Sequence, residues 1–237
     1  MCVRIPIHKC CVSAKAPHLV LSLAMTQRKQ ALQLNALIDR LLTSPEPQHR
    51  QQLAHLVTDA SVNSLAERIR RRATRLGKLR HGDQRQLLQM RDELILAVYA
   101  ALSPAGWCCG WSDGAVFTLH THRQAGIGGL LMDGTGAVIA RISERIGEAD
   151  AFSAELAATT AIIDLAIARQ QLWLWLFCDN SGLVRLWCEQ RNDPRLEPLR
   201  QRVEKLDKFA LRAIPRLHNQ PANALARMAV KGKSSTR

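Results

Sequence analysis

Three carboxylates stand where surface acids are not expected. Asp113 follows the apolar run "WCCGWS" and precedes Gly114. Glu155 lies inside "AFSAELAATTAIIDLAIARQ". Asp179 closes the run "LWLWLFC". Each has an ordinary reading by itself. Asp113 can open a turn ahead of Gly114. Glu155 can be a solvated helix residue, and Asp179 can cap the helix that begins near Ser181. Brought to one point, the three would repel one another unless a cation joined them. Mg2+ or Mn2+ suits that role, because hard ions take oxygen ligands and bridge carboxylates to phosphates. Two such ions about 4 Å apart would clamp the attacking and leaving oxygens of a phosphodiester.

The elements that must position these acids follow from periodicity. "WCCGWS" reads as a strand with Asp113 at its end. "AGIGGLLMDGTGAVIARISERI" reads as two strands folded at the Asp133-Gly134-Thr135-Gly136 turn. The alanine-rich stretch is a helix whose apolar stripe of Phe152, Leu156, Ile163 and Ile167 leaves Glu155 at the edge nearest the sheet. "LWLWLFC" is a strand buried on both faces. "SGLVRLWCEQ" and "PRLEPLRQRVEKL" are helices, "FALRAIP" a strand and "ANALARMAV" a last helix. The order β-β-β-α-β-α-α-β-α implies an α/β fold, a mixed five-stranded sheet flanked by helices. Its first and fourth strands are natural neighbours, which would set Asp113 beside Asp179.

The N-terminal part obeys a different pattern. From Thr26 to Ser103 apolar residues recur at helical spacing, with stripes at Leu34–Leu42, Leu53–Ala60, Leu65–Leu79 and Leu87–Ala101. "SPAG" at 103–106 breaks the pattern. The expected organisation is a loose tail over 1–25, a basic all-α module over 26–103, the α/β domain over 107–230 and a basic tail over 231–237. Of the formal net charge of +13, residues 1–100 hold +9, residues 101–230 hold +1, and the tail holds +3. A field concentrated in this way suits a polyanion. The third helix carries Arg68, Arg70, Arg71, Arg72, Arg75, Lys78 and Arg80, a density that suits a solvated face or, as the neighbouring domain favours, phosphate contact. The seven cysteines include no Cys-x-x-Cys pair, so buried thiols in a reducing, cytoplasmic setting are expected. No apolar run reaches the roughly 20 residues of a membrane span, and no membrane partner is expected.

Across Trp107–Val230 the sequence resembles the type 1 ribonuclease H family. The resemblance rests jointly on "SDGAV", "AGIGGLLMDGTG", "FSAELAA", "LWLFCDNSGLV" and "IPRLHNQPANALARMA". It implies a ribonuclease H-like fold and a two-metal endonuclease that hydrolyses the RNA strand of RNA–DNA hybrids. It also implies that Asp113, Glu155 and Asp179 are catalytic ligands of Mg2+ or Mn2+. Two departures stand out. Asn223 replaces the acid that the family carries at the start of its last helix, leaving a neutral metal ligand at the fourth position. "ADAFS" replaces an Asn-rich run at the head of the long helix, so that Ser153 is the remaining candidate for substrate contact there. With Arg68, Arg71, Arg72, Arg75 and Lys78 it forms the expected nucleic-acid-binding set. His218 is expected to be a hydrogen-bonding loop residue. The alternative expectation is a ribonuclease H-like protein that binds nucleic acid with weakened or no catalysis, because of Asn223.

Overall fold

The computed structural model describes residues 17–79, 84–119, 122–189 and 192–232. Four helices come first: α1 (Pro17–Thr43), α2 (Pro47–Ala54), α3 (Val62–Leu79) and α4 (Gln84–Ala100). Helix α1 begins well before Thr26, so residues 17–25 are helical rather than the loose tail expected for them. Pro47 starts α2, where a missing N–H costs nothing. The second apolar stripe overran its helix. Thr58 and Ser61 bond to each other, the Thr58 N–H donating to Ser61 Oγ at 2.9 Å, and the chain turns there into α3.

The sheet strands are β1 (Cys108–Leu119), β2 (His122–Met132), β3 (Val138–Gly147), β4 (Trp173–Cys178) and β5 (Lys208–Ala213). They lie in the order β3-β2-β1-β4-β5. The β1–β2 and β2–β3 pairs are antiparallel, whereas β1–β4 and β4–β5 are parallel. Interleaved are α5 (Ala151–Ala168), α6 (Ser181–Cys188), α7 (Glu197–Val203) and α8 (Gln220–Val230). This is the mixed five-stranded arrangement, flanked by helices, that the element order implied. The predicted hairpin turn is present, with Asp133 Oδ1 accepting from the Thr135 and Ala137 N–H groups.

One expectation about β1 needs correction. Asp113 is not at the end of the strand, and Gly114 does not open a turn. The strand continues to Leu119, paired with β2 throughout, while β4 accompanies it only from Cys108 to Ser112. Asp113 therefore sits where the parallel pair stops and the antiparallel ribbon runs on. Gly114 is needed for a different reason: a Cβ there would stand 2.4 Å from the backbone carbon of Ala154. Its absence lets α5 close onto the strand.

Two hydrophobic layers sandwich the sheet. On one face, α5 buries Ala158, Ile162, Ile163 and Ala166 against Cys108, Leu131, Leu174 and Leu176. By length and composition α5 could cross a membrane, but its small residues are spent on this contact. On the other face lie α8 and the N-terminal helices. A Cβ on Gly128 of β2 would be 2.0 Å from the Ala226 nitrogen, so α8 rides directly on the strand backbone. Beside it, Ile38, Leu41, Ile69, Val98 and Tyr99 share one buried cluster with Cys109, Trp111, Leu130, Met132 and Phe177 of the sheet. The Phe177 ring lies 5.2 Å from that of Trp111 and 5.5 Å from that of Tyr99, carrying the aromatic core across from sheet to helices. Cys108, Cys109 and Cys178 are buried free thiols, whereas Cys188 is exposed.

Candidate metal centre

The carboxylates of Asp113, Glu155 and Asp179 converge, with one oxygen of each within 4.8 Å of the others. Strand alternation places Asp113 on the same sheet face as Trp111, and Asp179 directly follows the last residue of β4. Helix α5 brings Glu155 to the sheet at Gly114, whose N–H donates to Glu155 Oε2 at 3.2 Å. Asp150 caps α5 by accepting from the Ser153 N–H at 2.7 Å, and this sets the phase of the turn that carries Glu155. Asp179 is not the cap of α6. That role belongs to Asn180, whose side chain accepts from the Leu183 N–H, leaving the Asp179 carboxylate for the cluster.

Two residues that sequence reasoning did not assign complete the surroundings. Asn219 is fully buried and donates through Nδ2 to Asp179 Oδ1 at 3.1 Å and to the Ser112 carbonyl at 2.9 Å. Arg216, largely exposed, holds Nε 4.0 Å from Asp179 Oδ2. Both lie in "IPRLHNQPANALARMA", but no spacing rule connects them to an acid some forty residues earlier. Asn223 is buried on the first turn of α8. That turn lies against Gly128, and Gly128 is the β2 partner of Asp113. The fourth position is therefore on the helix that packs on β2 beside the strand position of Asp113.

Electrostatics mark the acids as a set. Burial, and then the neighbouring Glu155 and Asp179, drive the Asp113 carboxyl well above the usual range. Burial followed by Asp179 raises Glu155 to about 7. Such a site resists full ionisation without a cation. The candidate ligands are three carboxylates, all of them oxygen donors. Such a set fits Mg2+ or Mn2+ better than a thiolate- or imidazole-seeking ion.

A pH dependence follows for the protein held in chelator. A carboxyl whose value is raised on folding binds its proton more tightly in the folded state. Its contribution is complete below the ordinary value of 4.5 and is lost as pH rises to about 7. The melting temperature in chelator should fall across that window, and Glu155→Gln should flatten the fall. Circular dichroism melts between pH 4.5 and 8 measure this; a steeper decline in the variant would contradict it.

The expected nucleic-acid set divides in two. Arg72 pairs with Asp39 of α1, and Arg68 Nη1 donates to Asn35 Oδ1 at 3.1 Å. Both guanidinium groups are spent joining α3 to α1. Arg71 bonds to Glu67 yet remains three-quarters exposed, and Arg75 and Lys78 are also exposed. These three, at i, i+4 and i+7, present one outward stripe. Arg80 lies outside the described residues. Ser153 is exposed on the first turn of α5. His218 is buried and hydrogen-bonded, as expected of it.

Residues 112–229 match the family model described as "Reverse transcriptase-like". No curated protein sequence matches the chain. Among solved structures, the chain is similar to RNase H1 from the halophilic archaeon Halobacterium salinarum, with 26% identity over 53% of this chain and 98% of that one and a TM-score of 0.48. It is also similar to the N-terminal RNase H domain of a Mycobacterium tuberculosis protein, with 19% identity, 54% and 96% coverage and a TM-score of 0.49. A third is LC11-RNase H1, isolated from compost by a metagenomic approach and solved in complex with an RNA/DNA hybrid, with 23% identity, 52% and 96% coverage and a TM-score of 0.45.

Proposed function

We propose, on the premise that residues 112–229 belong to the reverse transcriptase-like family, that this chain is a metal-dependent endoribonuclease acting on the RNA strand of RNA–DNA hybrids. Asp113, Glu155 and Asp179 hold the metal, and Asn223 offers a neutral oxygen from α8. Bound there, two Mg2+ or Mn2+ ions supply an activated water and neutralise charge on the scissile phosphate. The chain's own groups orient the ligands. The Gly114 N–H holds Glu155, and Asn219 holds Asp179. Arg216, beside Asp179 and open to solvent, meets the backbone of an approaching strand.

The N-terminal helices add affinity. Arg71, Arg75 and Lys78 contact phosphates without reading sequence, and Ser153 contributes a hydroxyl at the head of α5. The 2′-hydroxyls of the shallow minor groove provide discrimination against plain DNA. The observation that carries this reading is the convergence of three carboxylate oxygens within 4.8 Å at a largely buried point of this sheet. A second reading, binding without cutting, is favoured only by Asn223 standing where the family carries an acid.

Labelled RNA–DNA hybrid, duplex DNA and duplex RNA, each incubated with Mg2+, Mn2+ or chelator, separate the two. Metal-dependent cutting of the hybrid's RNA strand alone is the expected result. Retention of hybrid with no cleavage in either metal would move the chain to the second reading.

A further inference from the structure

A buried polar contact joins the N-terminal helices to the edge of the acid site. Tyr99 of α4 is fully buried, and its hydroxyl donates to Asn63 Oδ1 of α3 at 2.7 Å. The same oxygen lies 2.7 Å from His218 Nδ1, on the short turn between β5 and α8. Asn63 Oδ1 can only accept, so the phenolic proton goes there and His218 Nδ1–H donates to the phenol. On the other side of the imidazole, Glu67 Oε2 lies 3.9 Å from Nε2. His218 is 3% exposed, and the next residue is Asn219, which bonds to Asp179. A chain of direct contacts therefore runs from α3 and α4 through the β5–α8 turn to a carboxylate of the cluster.

We infer that the N-terminal helices complete the acid site, with Tyr99 a positioning residue that acts through His218 and Asn219 on Asp179. This rests on the metal-site reading above. Asn219 spends both of its amide hydrogens on Ser112 and Asp179, so a small rotation of the turn would break one bond or both. Neither the strands nor α8 supplies His218 with a hydrogen-bond partner among the described residues; Tyr99 does. The helices therefore serve as more than a basic arm: removing their grip loosens an acid ligand that they do not touch.

The test compares full-length variants by NMR and by Mn2+ binding. Tyr99→Phe keeps the ring and deletes the hydroxyl. Ile38→Val trims the same core without touching the contact, and so controls for general loosening. In Tyr99→Phe, the Asn219 side-chain amide should exchange about tenfold faster, the ratio set by one hydrogen bond of ordinary net strength. The Mn2+ dissociation constant should rise with it, and Ile38→Val should change neither. Asn63→Ala, which leaves the His218 contact in place, should give a smaller effect than Tyr99→Phe. An Asn219 amide that exchanges alike in wild type and Tyr99→Phe overturns the inference, as does equal loosening by Ile38→Val. Failure of wild type to bind Mn2+ overturns the metal-site reading instead, while the amide exchange still decides the coupling.

Discussion

Asp113→Asn should abolish metal-dependent cleavage and at the same time raise the melting temperature of the metal-free protein. The two effects share one cause. Asp113 is 2% exposed and faces Glu155 and Asp179, so folding in chelator either buries a repelling charge or takes up a proton. The amide is nearly isosteric and removes that cost. A gain of about 1 kcal/mol would show as roughly 2–4 °C in a chain of this size. With metal the sign reverses. Wild type at a hundredfold excess over the dissociation constant should gain about 2.7 kcal/mol, and the variant little of it. Loss of a ligand at the reacting phosphate should lower single-turnover cleavage by about a thousandfold or more. Thermal melts with and without Mg2+, run beside single-turnover assays, read both effects. Cleavage within a few-fold of wild type would remove Asp113 from the site. A melting temperature lowered in chelator would mean that the three carboxylates do not repel as their burial requires.

Asn223→Asp should lower the Mg2+ concentration needed for half-maximal cleavage by about tenfold, since ligand charge count tunes affinity for hard cations. Asn223 is buried on the α8 turn that lies over Gly128, beside the strand position of Asp113. A fourth negative charge there should strengthen the hold on a second ion and destabilise the metal-free protein, the reverse of Asp113→Asn. Mg2+ titrations of the cleavage rate, paired with melts in chelator, measure both consequences. An unchanged half-saturation point would show that the amide is not facing the metal. If the wild-type chain binds hybrid without cutting and Asn223→Asp restores cutting, the amide alone silences the fold.

Much of the site is legible in the sequence alone. The unbroken apolar run "LWLWLFC", the Asp-Gly-Thr-Gly turn and the alanine-rich helix are local signals, and each became the expected element. Asp113, Glu155 and Asp179 were recognisable because each interrupts an apolar pattern. The extent of β1 was not legible. Beyond Asp113 its partner is β2 alone, and Gly114 looks like a turn former until α5 is seen pressed against it. The basic stripe on α3 was legible as charge but not as direction. Only Asp39 and Asn35 on α1 show that Arg72 and Arg68 face inward.

From sequence alone came the order of the elements, the uneven charge and the three acids, because periodicity and composition act over a few residues and are written along the chain. Tertiary structure decided that the N-terminal helices share the core of the sheet. It also decided that Asn219 grips Asp179 and that Tyr99 reaches His218. Those contacts join residues between 40 and 119 positions apart. Their partners are chosen by packing and by the need to pair buried polar groups, neither of which leaves a local signature.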